Sequence, residues 1–275
     1  MNVSKRAWTL LAAGAFALIG AGALVSSGVQ LQNLIAGSRC GADVCGLSQQ
    51  EQEAVKDPSH HQEGKPSRSK TEALLLDQLH IHEDFRESFD HGPKGAAYQK
   101  YIVLHDTESL TKPEDIISWW DSNKQGVAAH FIVDRDGEIW QCVPMDRIAH
   151  HAGYGDTGHN QEFGVKEDGR DDLIGTKPIG KAAADYGMNS WSVGIEMVHR
   201  HGGKPYTQAQ LHSVDLLIAY IQVHFGHDSK IIDHKAWRSG NSDTDSQFKS
   251  YLDNLAHGTT HDGKPLETLY HGTRQ

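Results

Sequence analysis

The sequence predicts a single α/β domain in which a mixed central β-sheet is flanked by helices. Tyr101–Leu104 is an unbroken apolar run of the kind that forms a buried central strand. Asp134–Gly137 has the composition of a hairpin turn and separates two further apolar runs, which indicates an antiparallel strand pair. After Thr207, apolar residues recur at helical spacing as far as Phe225.

The other predicted elements follow in order along residues 96–256. A helix is expected to begin at Pro113, because proline and acidic residues favour a first helical turn. Thr207 and Gln210 form a capping-box pattern at the start of the long helix. The remaining predicted elements are strands at 127–133, 138–143, 192–198 and 231–234, and a closing helix at 249–255.

The start of the chain has the features of an export segment. Lys5 and Arg6 precede the uncharged apolar run Ala7–Val25, and small residues follow it. The run also approaches the length needed to span a bilayer. Residues 1–28 are therefore predicted to be a cleaved signal peptide or a retained membrane anchor. In either case the remainder is expected in the periplasm or cell envelope, or secreted.

Residues 29–95 are predicted to be a polar linker or N-terminal extension. Residues 48–70 are polar and show no periodicity, which is typical of a linker. Residues 71–89 carry apolar side chains roughly on one helical face, so a helix is expected there. The compact domain is expected to begin near Ala96, and residues 257–275 are expected to form a loose tail.

Composition limits the classes of function. The net charge of −10 argues against a nucleic-acid-binding protein, which presents a basic surface. Cys40 and Cys45 are close enough to form a disulfide loop in an oxidising compartment, or they are two free thiols. Cys142 is expected to be buried. With 19 histidines in the chain, a histidine is a candidate site residue only when its neighbours support it.

Potential metal ligands follow three of the predicted strands. His105 and His234 each end an apolar run, and Glu196 lies at the end of a third. Asp243 and Asp245 occupy a polar loop after His234. Two imidazoles and one carboxylate suffice for a catalytic zinc with a position left for water. Zinc lowers the pKa of that water to about 7, and a separate glutamate can move the proton. Spacing alone leaves open the alternative of buried, ion-paired and loop-capping side chains.

The order of these segments resembles the type 2 N-acetylmuramoyl-L-alanine amidase family. That family includes zinc amidases of cell-wall recycling, phage amidases and peptidoglycan recognition proteins. The resemblance covers residues 96–256. Its motifs are Ile102–His105, Ala129–Gly137, Arg147–Gly153, Asn189–Glu196 and His234–Trp237, followed by a late aspartate.

The resemblance implies a role for each matching residue. His105 and His234 match the two histidines that bind Zn²⁺, and Glu196 matches the general acid/base of the enzymatic members. His151 matches a histidine that lines the substrate cleft, whereas His130 matches a mainly structural position.

The third zinc ligand is either Asp243 or Asp245. Asp245 is preferred, because it precedes Phe248 by the spacing that many members show. The family's usual loop lysine and proline are both missing here. Lys235 and Arg238 are the candidates to replace the lysine, which helps to stabilise the oxyanion.

The resemblance implies a peptidoglycan hydrolase that cleaves the amide between N-acetylmuramic acid and L-alanine with zinc-activated water. Its zinc would lie in an open groove at the sheet edge, and its partner would be peptidoglycan or muropeptides. The alternatives are a non-catalytic peptidoglycan-binding module and a zinc peptidase acting on wall peptides. The chain has no His-Glu-x-x-His, which disfavours the common form of peptidase. Residues 154–188 are expected to form a groove wall that sets substrate length.

Overall fold

The computed structural model describes residues 69–167, 170 and 187–271. The chain divides after residue 63 into two units, and the described residues all belong to the second. Its strands are β1 (Ile81–Glu83), β2 (Tyr101–Asp106), β3 (Phe131–Val133), β4 (Ile139–Gln141), β5 (Ser192–Met197) and β6 (Lys230–Asp233). Its helices are α1 (Lys70–Gln78), α2 (Pro113–Ser122), α3 (His159–Glu162), α4 (Gln208–Phe225), α5 (His234–Trp237) and α6 (Lys249–Ala256).

The six strands form one mixed sheet in the order β1-β4-β3-β5-β2-β6. Strand β2 runs parallel to both of its neighbours, β5 and β6. All six of its residues are buried, as expected for a strand covered on both faces. Strands β3 and β4 form the predicted antiparallel hairpin. The prediction of a mixed central sheet flanked by helices is confirmed.

Helices cover both faces of the sheet. Phe131 and Val133 pack in a core cluster with α4, whereas Ile132 between them packs in a second cluster with α2. This split follows from the alternation of side chains along a strand. Helix α4 begins as predicted, because the Thr207 side chain accepts a hydrogen bond from the Gln210 amide. Helix α2 begins at Pro113, also as predicted.

Residues 70–95 belong to the folded unit, so the prediction of an extension reaching residue 95 is wrong for this part. Helix α1 packs against α4 and buries Leu75 in the core. The helix ends at Gln78, well short of the predicted residue 89, and β1 then pairs with β4 at the sheet edge. Residues 81–83 pair with the edge strand β4 instead of continuing the predicted helix. Strand pairing depends on the partner strand as well as on local sequence, so the helical pattern alone did not predict it.

The C-terminal segment is also ordered as far as residue 271, contrary to the predicted loose tail. Asp215 is buried in α4 and accepts hydrogen bonds from the Tyr251 hydroxyl (2.7 Å) and the His261 amide (3.1 Å). The His261 ring contacts the same carboxylate at 2.6 Å. Because a buried carboxylate needs several donors, these bonds tie the segment after α6 to the core.

Several predictions concern residues outside the described part of the chain. They include the export segment, the linker up to residue 68, the Cys40 and Cys45 pair, and most of the 154–188 insertion, whose role as a groove wall stays a prediction. Among the described residues, no helix combines the length and hydropathy that crossing a bilayer requires. Cys142 is a buried free thiol, as expected.

Candidate active site

Three adjacent strands bring the predicted site residues to one edge of the sheet. His105 on β2 is paired in register with Glu196 on β5. Paired residues on neighbouring strands place their side chains on the same face. On the other side of β2, strand β6 ends at Asp233, and His234 follows as the first residue of α5. Topology therefore joins residues that are far apart in sequence.

His105, His234 and Asp243 form a cluster whose potential ligand atoms all lie within 4.8 Å of one another. Nδ1 of His105 lies 3.1 Å from Oδ2 of Asp243. Nδ1 of His234 contacts the same oxygen. In the described part of the chain, no other group of three histidine, cysteine or acidic side chains meets this spacing.

The electrostatics of the cluster favour the protonation states that bind metal. Burial, together with neighbouring His234, lowers the pKa of His105 and favours its neutral form. Burial by itself would raise the pKa of Asp243, but the adjacent His105 and His234 rings outweigh burial and hold that pKa well below its ordinary value. Metal ligands must be neutral imidazoles and ionised carboxylates. The pKa directions of His105 and Asp243 therefore favour the forms of these two side chains that bind a cation.

The hydrogen bonds of His234 show that the residues fit a metal ion. Its Nε2 lies 2.9 Å from the carbonyl oxygen of Ala152, which can only accept, so Nε2 carries the proton. The neutral ring then presents a lone pair at Nδ1, facing the carboxylate oxygen of Asp243. The Nδ1 lone pair of His234 and the Asp243 oxygen are both acceptors, so their contact requires a cation between them or an added proton. Two imidazole nitrogens and one carboxylate are a donor set that suits zinc.

Asp245, the preferred third ligand from sequence, does not join this cluster. Its Oδ2 accepts from the Gly202 amide at 2.8 Å, and its Oδ1 accepts from the Gln247 amide at 3.2 Å. These bonds, led by the one from Gly202, lower the pKa of Asp245 to about 2. Thr244 adopts a left-handed φ of 52°, so the chain reverses between the two aspartates. Asp243 takes the place expected of Asp245.

Glu196 presents a carboxylate whose Oε2 is buried and has no hydrogen-bond partner among the described residues. Burial, followed by the negative charges of Asp243 and Asp106, raises its pKa well above the ordinary value. A titratable group with a strongly perturbed pKa beside a cleft is a candidate acid/base. Glu196 thus lies in register with His105 on the neighbouring strand, and its role as the acid/base stays a prediction.

The cleft beside Glu196 has a volume of about 460 Å³. One wall is α2, which contributes Ile116, Trp119 and Trp120. Trp120 is buried in the core, whereas the indole of Trp119 is 64% exposed. An exposed aromatic ring beside an acid/base candidate is a surface on which a substrate can pack.

His151 is buried and is not among the residues that line the cleft beside Glu196, so its contact with substrate stays a prediction. Its Nδ1 lies 3.0 Å from Nε2 of His105, so it sits behind the metal-facing edge of that ring. Its Nε2 lies 3.1 Å from the hydroxyl of Ser192. His130 is structural, as expected: Nδ1 accepts from the Gly194 amide and Nε2 donates to the Arg147 carbonyl.

Sequence reasoning missed a buried network that holds the loop of Asp243. The Asp106 amide donates to Oδ1 of Asp243 at 3.3 Å. The Asp106 carboxylate accepts from the Tyr206 hydroxyl at 2.8 Å and contacts the His199 ring at 2.9 Å. The Tyr206 hydroxyl also accepts from the Asp245 amide. The one local signal was the position of Asp106, directly after His105.

The two cations proposed to replace the family's lysine are placed differently. Lys235 donates its ammonium to the Thr244 carbonyl, within the loop that carries Asp243. Arg238 is exposed at the surface. Lys235 therefore supports the loop backbone, and neither Lys235 nor Arg238 is among the residues that line the cleft beside Glu196.

Comparisons with known proteins point to one family. A model of the N-acetylmuramoyl-L-alanine amidase family matches residues 95–247. The endolysin amidase LysCS from Clostridium intestinale URNW is 17% identical, with 64% of this chain and 95% of that chain covered and a TM-score of 0.44.

Two further solved structures are similar at the same level. The Staphylococcus aureus hydrolase AmiA, solved with its ligand, is 17% identical over 75% of this chain and 91% of its own, with a TM-score of 0.42. A mutant endolysin from Bacillus subtilis is 20% identical over 66% of this chain and 98% of its own, with a TM-score of 0.43. No curated protein sequence matches the chain.

Proposed function

The chain belongs to the N-acetylmuramoyl-L-alanine amidase family, which hydrolyses the amide between N-acetylmuramic acid and L-alanine in peptidoglycan, and on this premise we propose that it does so as a zinc enzyme. His105, His234 and Asp243 would hold the ion. The observation that carries the proposal is the pair of imidazole Nδ1 atoms that converge on one carboxylate oxygen of Asp243.

Zinc in such a site acts as a Lewis acid and lowers the pKa of water to about 7. The chain's own residues supply the rest of the chemistry. His105 and His234 are neutral donors on rigid strand ends, and Asp243 balances part of the ion's charge. The network around Asp106 holds the Asp243 loop in place through the backbone amide of Asp106.

Glu196 is the proposed general acid/base. Its unpaired Oε2 would accept a proton from the attacking water and pass it to the leaving amine of L-alanine. A nearby cation favours the ionised form and would therefore lower this raised pKa, which helps the carboxylate to accept a proton from water. A binding module has no need of an unpaired buried carboxylate, which costs stability. Glu196 therefore favours the enzyme over the binding alternative.

A digest of muropeptides with purified protein tests this function. We expect products with a free lactyl group on the sugar and a free amine on L-alanine. A strong zinc chelator should abolish them, and added zinc should restore them. Cleavage of a peptide bond would indicate the peptidase, and binding without product would indicate the binding module. Unchanged activity in fully zinc-free protein would contradict the metal assignment.

The proposed site of action is outside the cytoplasm, where peptidoglycan lies. The pattern of Lys5, Arg6 and the apolar run Ala7–Val25 supports export of the chain, by a cleaved signal or with a retained anchor.

Trp119 is expected to contribute to substrate affinity. Its exposed ring borders the cleft that contains Glu196. Trp119→Ala should raise KM for muropeptides about tenfold, equivalent to about 1.4 kcal/mol, and leave kcat nearly unchanged, because packing on the ring acts equally in the ground and transition states. Phe85 is 46% exposed and does not line this cleft, so Phe85→Ala is the matched control. Equal KM values for the two variants would rule out this role.

A further inference from the structure

We infer that His151 and Ser192 are positioning residues that fix the tautomer of His105, so that its Nδ1 lone pair faces the metal-binding cluster. This inference rests on the zinc site of the proposed function. In this inference, His151 acts inside the protein on the zinc ligand His105 and does not contact substrate.

A relay of hydrogen bonds runs from the Met188 carbonyl through Ser192 and His151 to His105. It begins at a backbone carbonyl, which can only accept. The Ser192 hydroxyl donates to the Met188 carbonyl oxygen at 2.6 Å. A hydroxyl has one proton, so Ser192 Oγ can only accept from the His151 ring, whose Nε2 lies 3.1 Å away. The neutral His151 ring therefore carries its proton on Nε2 and has a lone pair on Nδ1.

The tautomer of His151 in turn fixes the tautomer of the metal ligand His105. Nδ1 of His151 lies 3.0 Å from Nε2 of His105, so His105 must donate there and carry its proton on Nε2. Its Nδ1 is left with a lone pair, 3.1 Å from Asp243. His234 reaches the same state by donating to the Ala152 carbonyl. Both ligand histidines thus present Nδ1, each because its Nε2 proton is committed elsewhere.

The relay opposes a competing arrangement. Without metal, the Asp243 carboxylate attracts a proton to Nδ1 of His105, which would block that nitrogen as a ligand. That tautomer would reverse every bond in the relay and turn the Ser192 proton away from Met188. The Ser192 hydroxyl lies 2.6 Å from the Met188 oxygen and 3.1 Å from Nε2 of His151. The shorter distance favours donation to Met188, which is the direction that leaves Nδ1 of His105 free for metal.

Packing holds the relay in place. A Cβ at Gly194 would lie only 2.5 Å from the His151 ring, so the imidazole occupies space that only glycine leaves free on β5. The backbone amide of His151 donates to Asn189 Oδ1 at 3.0 Å. Lys94 is buried and donates to the Ser192 carbonyl at 2.6 Å. The ring and the hydroxyl are thus fixed from several sides.

The chain offers a matched pair of substitutions to test the relay. Ser192→Ala removes the acceptor for His151. Ser190→Ala removes a hydroxyl that is equally buried but has no hydrogen-bond partner within residues 69–167, 170 and 187–271. Ser192→Ala should weaken zinc binding about 10-fold, the lower end of the 10- to 100-fold effect of losing a direct partner of a metal ligand, because Ser192 acts through His151. Ser190→Ala should stay within about twofold of the unmodified protein, and Ser192→Thr should retain most of the affinity.

Two readouts separate this role from a loss of folding. Competition with a chromophoric chelator measures zinc affinity, and ¹⁵N NMR of the histidine rings in metal-free protein reports the tautomers directly. We expect a proton on Nε2 of His105 in the unmodified protein and a mixture of tautomers in Ser192→Ala. A proton on Nδ1 of His105 in the unmodified protein, or unchanged zinc affinity in Ser192→Ala, would overturn the inference. If the unmodified protein binds no zinc, the proposed function fails, and the metal-free tautomer still decides the relay.

Discussion

Asp243→Ala is expected to lower zinc affinity by more than about 100-fold, beyond the 10- to 100-fold effect of removing an outer partner of a metal site, and to abolish amidase activity with it. Asp243 supplies the oxygen on which the Nδ1 atoms of His105 and His234 converge. Its removal leaves two neutral imidazoles, which hold zinc weakly without a third protein ligand. Isothermal titration with zinc and the muropeptide digest measure the two effects.

Asp245→Ala is the matched control, two residues away on the same loop. It removes the cap of the short turn at Ser246–Phe248, so a loss of about 1 kcal/mol in the free energy of unfolding is expected. Zinc affinity should fall far less than in Asp243→Ala, because the Asp245 carboxylate binds backbone amides instead of the cluster. If Asp245→Ala were the variant that lost zinc, the ligand assignment would be reversed.

Glu196→Gln is expected to reduce kcat about 10²- to 10⁴-fold, the range for removal of a general acid/base, with zinc affinity largely kept. The amide has nearly the same shape but cannot accept the proton that Oε2 accepts in the proposed reaction. Steady-state kinetics on muropeptides with zinc-loaded protein measure the effect. A variant that retained more than about half of kcat would remove Glu196 from the proposed mechanism.

The same substitution should stabilise the metal-free protein at neutral pH, because it removes a negative charge that burial disfavours while keeping the shape of the side chain. Burial raises the pKa of Glu196 above its ordinary value of 4.5, so the folded state holds the proton more tightly than the unfolded state. The ionised carboxylate therefore destabilises the fold increasingly as pH rises from 4.5 through the folded-state pKa. Thermal unfolding should show the largest gain for Glu196→Gln near neutral pH and little below pH 4.5.

The positions of His105, His234 and Glu196 were predictable because each depends on a local pattern. Each residue ends or follows an apolar run that forms a strand, and the ends of adjacent strands meet at one edge of the sheet. The choice between Asp243 and Asp245 was not predictable in this way. It depends on the left-handed backbone of Thr244 and on the Gly202 amide, which is distant in sequence.

For His151 and residues 70–95 as well, local sequence predicted one part and contacts between distant segments decided the other. The sequence around His151 marked it as a candidate, but only packing against Gly194 shows that the ring is turned inward to His105. Ile81–Glu83 form an edge strand because they pair with β4, which lies far away in sequence.

By itself the sequence determined which side chains are available, where most strands and helices of residues 96–256 lie, and the family to which the chain belongs. Those properties follow from local periodicity and from the order of motifs along the chain. The tertiary structure alone decided which aspartate meets the two histidines, where His151 points and that Oε2 of Glu196 is buried with no hydrogen-bond partner among the described residues. These depend on distances between segments that are far apart in sequence, and a hydrogen bond forms or fails over a few tenths of an ångström.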